Sequence, residues 1–289
     1  MNGDKNLNKS KDNLSIDMFK YLYDIYFDVD WLKDDKDSAF VELWNLTDND
    51  IQKDLIEFLI KKFVVINDEL LGTVADGIVE QIISTWSLEA TNTKLFAVCE
   101  DNTPDGSQAL LQFLKNKFKY PWVAGNFFNN LNAVEDNITD DVNIILIDDF
   151  IGTGKTIEYK YKTVLEKVRL SGCQNVKVRV ATIGKMEFSN EKLSQAGIDN
   201  YSYYNFKKGI SELWNGDNID TVIAAMEDLE RKLKSKSQGR KLSKHRFGYE
   251  RSEAYFCWGQ FNVPNNVFPI FWWPELKNGF RRKTLFSRL

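Results

Sequence analysis

The stretch Ile144-Ile145-Leu146-Ile147-Asp148-Asp149-Phe150-Ile151-Gly152-Thr153-Gly154-Lys155-Thr156 carries the signal from which the fold is read. Its four consecutive aliphatic residues are apolar on both faces, as expected of a strand inside a parallel sheet that is covered on both sides. Ligands of such sheets bind beyond the carboxyl ends of the strands, where the strand order reverses. Asp148 and Asp149 are expected to stand there. Gly152 to Thr156 then reads as a tight loop entering a helix, whose unpaired N–H groups and dipole make an anion pocket, with the Thr hydroxyls as further donors. A carboxylate pair beside an anion loop is expected to hold a sugar phosphate or a nucleotide.

Working outward, strand and helix patterns alternate. Leu95 to Cys99 is a short apolar run, followed by the turn formers Asp101, Asn102, Pro104, Asp105 and Gly106 and by an amphipathic helix from Ser107 to Lys117. The loop at 152–156 leads into a helix from about Lys155 to Ser171. Val176 to Ile183 and Tyr201 to Phe206 read as further strands, with a helix near Asn190 to Ala196 between them. Strands alternating with helices of this size predict an α/β fold with a largely parallel sheet.

Before this core the pattern is helical. Phe19, Leu22, Ile25 and Tyr26, then Leu55, Phe58, Leu59 and Phe63, recur at three- and four-residue spacing, with Asp48 and Asp50 as N-cap signals. The expected organisation is a disordered stretch at 1–14, a helical N-terminal region at 15–90, an α/β core at 91–247, and a C-terminal strand and Pro/Asn/Trp-rich tail at 248–289. The basic stretch 228–246 reads as a helix ending in a mobile loop with a solvated charged surface, and His245 as a solvated loop histidine. Glu253 to Phe261 reads as a strand. Three prolines and two adjacent asparagines predict an extended, turned course for 262–274, with Phe271, Trp272 and Trp273 anchoring it in a core.

The chain has 289 residues, 38 basic and 42 acidic side chains and a net charge of −4, so nothing in its balance points to nucleic acid or an anionic membrane. Three distant cysteines and one histidine exclude a disulfide framework, a thiolate zinc site and a histidine-based triad. The polar start lacks an apolar signal-peptide core, and no run of about 18 uncharged apolar residues occurs, so a soluble cytoplasmic protein is expected.

Two loop types end in Gly-Lys-Thr. A Walker A loop requires a glycine five residues before Gly154, and that position is Asp149, which would face the phosphates. The alternative fits better. Ile145 to Thr156 closely resembles the phosphoribosyl pyrophosphate (PRPP) motif of type I phosphoribosyltransferases, and is most similar to their hypoxanthine-guanine branch. The resemblance implies a Rossmann-like sheet of that family flanked by helices. It also implies that Asp148 and Asp149 take the ribose hydroxyls, that Gly152, Thr153, Gly154, Lys155 and Thr156 hold the 5′-phosphate, and that Mg²⁺ enters with PRPP, near the Asp148–Asp149 pair and without direct ligation. Carboxylates accept from vicinal diols, whereas loop amides only donate and so suit an anion.

Val176 to Lys185 looks like the next strand of the purine enzymes, where a strand-end lysine contacts the base. Lys185 takes that place, or is a surface lysine at a strand end. The family's loop aspartate falls on Gly152. Its Lys-Gly-Gly pyrophosphate turn falls on Asp105-Gly106-Ser107, where backbone amides and a hydroxyl are available but no cation. The tail from Asn262 to Trp272 resembles an Asn-x-Pro-Asn-Asn-x-x-Pro-x-Phe-Trp motif of a phosphoribosyltransferase-like family from bacterial stress and defence loci. Asn265 and Asn266 either bind a base or ribose or cap a turn that pins the tail. These resemblances imply transfer of phosphoribose to a nitrogen nucleophile with pyrophosphate release, possible within a defence complex with a protein partner. The alternative is an inactive nucleotide sensor or effector subunit using the same pocket.

Overall fold

A computed structural model describes residues 16–33, 36–99, 105–216, 218–259 and 263–288. The stretch 1–14 and the turn residues Asp101, Asn102 and Pro104 lie outside the described residues, as do Phe261 and Asn262. The chain opens with helices α1 (Ile16–Asp28), α2 (Asp37–Trp44) and α3 (Asp50–Lys62), a short strand β1 (Val64–Ile66) and α4 (Asp68–Glu80). The start of α3 is capped by Asn49, whose side chain accepts from the Gln52 N–H at 3.0 Å. Asp48 and Asp50 flank the cap rather than supplying it.

The core continues as β2 (Thr93–Ala97), α5 (Gly106–Lys115), β3 (Phe127–Phe128), β4 (Asn143–Ile151), α6 (Lys155–Ser171), β5 (Lys177–Met186), α7 (Ser189–Gln195), β6 (Asp199–Phe206) and α8 (Ile219–Arg231). Five of these strands form one sheet in the order β3-β2-β4-β5-β6, and every pairing is parallel. After β2 the chain turns outward to β3, and after β4 it turns the other way to β5. The order therefore reverses between β2 and β4, which opens a crevice at their carboxyl ends.

The aliphatic run predicted as a buried strand is the centre of this sheet. Ile144, Ile145, Leu146 and Ile147 are fully buried, and they alternate between two cores. Ile145 and Ile147 face a large cluster with α3, α4, α5, α8 and the tail, while Ile144 and Leu146 face a smaller one with Ile157, Tyr161 and Val164 of α6. Each such side chain contributes about 1.5–3 kcal/mol through burial. The sheet is thus fixed on both faces, as its apolar pattern requires.

The chain ends in two small ladders and a folded-back tail. Strands β7 (Lys236–Ser237) and β8 (Arg240–Lys241) pair as an antiparallel hairpin, and β9 (Phe256–Trp258) pairs in parallel with β1. The basic stretch 228–246 is therefore ordered as helix, hairpin and a short 3-10 turn, rather than a mobile loop. His245 is likewise buried, against Trp272 and Trp273 at 5.6 and 6.2 Å, where burial and nearby Arg288 hold its pKa below the ordinary value. The predicted strand from Glu253 forms as the three residues of β9. Phe271, Trp272 and Trp273 are buried as expected, and Phe63 of the N-terminal helices stacks on Phe286 at 4.5 Å. No helix among the described residues is long and apolar enough to cross a membrane.

Candidate functional site

A cleft of about 600 Å³ opens at the β2/β4 reversal. Asp105, Gly106, Asp148, Asp149, the loop 152–156, Asn265 and Asn266 all line it. Strand β4 runs on to Ile151, so the acidic pair lies inside the strand rather than beyond its end, with Asp148 in register with Thr182 of β5. The Asp149 N–H donates to Asp148 Oδ1 at 3.0 Å. Burial raises the Asp148 carboxyl well above the usual carboxylate range, helped by the charges of Asp149 and Asp105. Burial and then Asp105 raise Asp149 to about 6. Three carboxylates thus converge where hydroxyls or a cation would relieve their repulsion.

The loop beyond them is built for close approach. Gly154 adopts φ 77°, a left-handed conformation that favours glycine, and it begins α6 without any side-chain cap. The first-turn N–H groups of α6 therefore have no side-chain acceptor and no intrahelical partner. Thr153 is half-buried and Thr156 exposed at the cleft wall. Lys155 is exposed, and its ammonium forms an ion pair with the Glu250 carboxylate.

Gly152 has a specific structural reason. A Cβ at that position would sit 2.2 Å from the Asn266 side chain. Asn266 is buried at 7 % exposure, and its Nδ2 donates to Ser252 Oγ at 2.7 Å. The tail amide therefore occupies the space that a loop side chain would need. Asn265 borders the cleft, and its carbonyl accepts from the Tyr249 N–H at 2.8 Å. Asn266 thus packs over Gly152 of the loop, while the Asn265 carbonyl is tied to Tyr249.

The turn after β2 is different. Asp105 caps α5, accepting from the Ser107 and Gln108 N–H groups at 2.9 and 3.2 Å and from the Ser107 hydroxyl at 2.5 Å. Ser107 is buried, does not line the cleft, and has neither amide nor hydroxyl left for an anion. Gly106 does line it, and a Cβ there would lie 2.3 Å from Asp149 Oδ2, so only glycine fits against that carboxylate. Lys185 also lies outside the cleft. It is buried at 8 % exposure and donates to Asn200 Oδ1 at 2.6 Å, with its pKa lowered by burial.

Two cleft residues had no sequence signal. Tyr249 and Arg288 reach the wall only because the tail folds back, with the Val263 N–H donating to the Ser287 carbonyl at 3.0 Å. Arg288 places a cation in the cleft wall, where the 105–107 turn has none. Its guanidinium donates to the Val263 carbonyl and lies 5.8 Å from the Trp272 ring centre.

A carboxylate pair near the end of a central parallel strand, followed by an uncapped glycine loop at the switch point, is the arrangement expected of the type I phosphoribosyltransferase class. The chain belongs to the PRTase-CE family, whose model matches residues 31–288. Solved structures similar to it include adenine phosphoribosyltransferase from Thermoanaerobacter pseudethanolicus, at 15 % identity over 48 % of this chain and 82 % of that one, with a TM-score of 0.32. Orotate phosphoribosyltransferase from Mycobacterium tuberculosis, in complex with inorganic phosphate, matches at 11 % identity over 48 % and 73 %, with a TM-score of 0.34. A hypothetical protein from Neisseria gonorrhoeae with bound ppGpp matches at 13 % identity over 57 % and 97 %, with a TM-score of 0.35. None of the curated proteins matches the chain.

Proposed function

We propose that the cleft binds the 5-phosphoribosyl group of PRPP or a nucleotide, and that the protein transfers phosphoribose to a nitrogen nucleophile. The observation that carries this reading is the placement of Asp148 and Asp149 beside the uncapped start of α6 in one cleft, within a chain of this family. The carboxylates accept from the ribose hydroxyls, and the amides of the 153–156 turn donate to the 5′-phosphate. In the reaction the anomeric carbon–oxygen bond breaks, the electron pair leaves with pyrophosphate, and a carbon–nitrogen bond forms through an oxocarbenium-like state. The acceptor's proton passes to solvent or to the released pyrophosphate. The protein contributes orientation and electrostatics.

Asp148 and Asp149, both raised by burial and by the charge of Asp105, suit a nearby cation. On this reading Mg²⁺ arrives with the substrate diphosphate, near the Asp148–Asp149 pair. Bound there, Mg²⁺ would supply charge neutralisation of the leaving group. A protein partner and a role in bacterial stress or defence belong to the same proposal and rest on the tail motif, while the cytoplasmic setting rests on the polar start and the lack of a long apolar run in the sequence.

A second reading is favoured by particular contacts. Asn266 fills the place over Gly152, an amide that takes no proton at neutral pH, and Ser107 and Lys155 are engaged by Asp105 and Glu250. These favour a sensor that holds its nucleotide without turnover. The test of both is pyrophosphate release from PRPP, measured beside PRPP affinity. Asp148→Asn with Asp149→Asn is expected to lower affinity by roughly 100-fold or more, since each lost charge-assisted bond is worth about 1.5–3 kcal/mol. Binding without release supports the sensor. Unchanged PRPP affinity in the double variant would remove both readings.

A further inference from the structure

A second cavity, of about 450 Å³, shares Arg288 with the cleft. Lys36, Arg281, Arg282, Lys283 and Arg288 stand in its wall, and among the described residues no carboxylate lines it. Arg282 is structural, since it is buried and donates to the carbonyls of Trp273 and Ile270. The other four make no ion pair among the described residues. Lys283 Nζ donates to Ser38 Oγ at 3.0 Å, and Glu42 of α2 accepts from the Lys283 N–H at 2.7 Å.

Four cations around one recess repel one another and favour an anion between them. A solvated charged face would scatter its lysines over open surface, whereas these converge on a cavity of ligand size. Arg288 is also held in place by Trp272 and the Val263 carbonyl, and its buried Nε has no hydrogen-bond partner among the described residues. A chain of phosphates carries several negative charges along its length and so can be met by several cations at once. Trp272, the aromatic side chain of the lining, is 2 % exposed and offers no face for stacking bases, which argues against a single-stranded nucleic acid.

We propose that this cavity binds the oligophosphate chain of a nucleotide, held by Lys36, Arg281 and Lys283, with Arg288 as the cation shared with the cleft. Ser38, Ser287 and the Gln238 amide line the same recess as further donors. Because one guanidinium borders both sites, occupancy of the recess and of the cleft are coupled.

The test is calorimetric titration of the full chain with tripolyphosphate and with ATP at fixed salt. Arg281→Ala with Lys283→Ala is expected to weaken both by at least roughly tenfold, while leaving PRPP affinity within about threefold. Arg288→Ala is expected to weaken both phosphate chains and PRPP. Lys115→Ala with Lys119→Ala, which removes equal charge outside both cavities, is the control. An equal loss in the control, or none in the recess variant, overturns the proposal. So does tighter binding of a single-stranded oligonucleotide that displaces ATP. Retained tripolyphosphate binding with no PRPP binding would support this site while removing the phosphoribosyl reading, so the two fail separately.

Discussion

Two strand-to-helix turns meet at the cleft, and they are finished in opposite ways. After β2, Asp105 closes the start of α5 with a full capping box, so its first N–H groups are satisfied by the protein itself. After β4, α6 begins at Gly154 with no side-chain cap. A cap is worth about 1 kcal/mol, and leaving it out is a stability cost that a bound anion can offset. The neighbouring turns of one sheet thus differ: the β4 turn is left uncapped, open to the phosphate of the proposed function, and the β2 turn is a closed wall carrying a carboxylate.

The largest expected effect comes from Gly152→Asp, which restores the residue of the purine enzymes. Its Cβ would fall 2.2 Å from Asn266, a buried side chain tied to Ser252, so the tail must shift or the loop must open. Thermal unfolding should show a loss of about 2–4 kcal/mol, the range for overpacking with a buried charge. Pairing it with Asn266→Gly should recover part of that loss. If the single variant melts like the wild type, the loop and tail are not locked as described.

The second effect is electrostatic and concerns the wall between the turns. Asp149 is held at about 6 when folded, against an ordinary value of 3.8. The folded state therefore binds the proton more tightly, and ligand-free stability falls as pH rises from about 4 to about 6. Asp149→Asn does not titrate, so it should gain on the wild type through that window, by about 3 kcal/mol above it. Melting curves at pH 4 and pH 7.5 without ligand check the sign. A gap that is constant with pH would mean Asp149 is not strained in the empty cleft.

Much of this arrangement was legible because it is local. The run Ile144 to Ile147 announces a doubly covered strand, and α6 runs from Lys155 to Ser171 as expected after the glycine-rich turn. What escaped the sequence is long-range or competitive. Arg288 follows the 152–156 loop by more than a hundred residues and reaches the cleft only through the tail's return. His245 lies in a basic run, and only the packing of Trp272 and Trp273 removes it from water. The Asp105 turn offers an amide and a hydroxyl on paper, but a side chain two residues away claims both.

Asp105→Ala tests the closed turn directly. Loss of the cap should cost about 0.5–2 kcal/mol of stability. It should also release the Ser107 N–H and hydroxyl and remove a charge that raises both Asp148 and Asp149. Pyrophosphate affinity at pH 6 is then expected to rise modestly, by roughly two- to fivefold, as donors open and repulsion drops. A fall in affinity would show that Asp105 itself serves the anion site.

The smallest effect is expected at Lys185, and its smallness is the point. In a base-contacting role its removal would weaken nucleotide binding by about 1 kcal/mol or more. Here the ammonium is bonded to Asn200, away from both turns, and burial has already lowered its pKa. Lys185→Met keeps the apolar stem and should leave PRPP and nucleotide affinity within about twofold, with Asn200 losing a donor and stability dropping by about 1 kcal/mol. A selective loss of nucleotide affinity at unchanged melting temperature would instead mean that the lysine swings into the cleft when ligand arrives. The open turn would then have a moving partner that the ligand-free arrangement holds against β6.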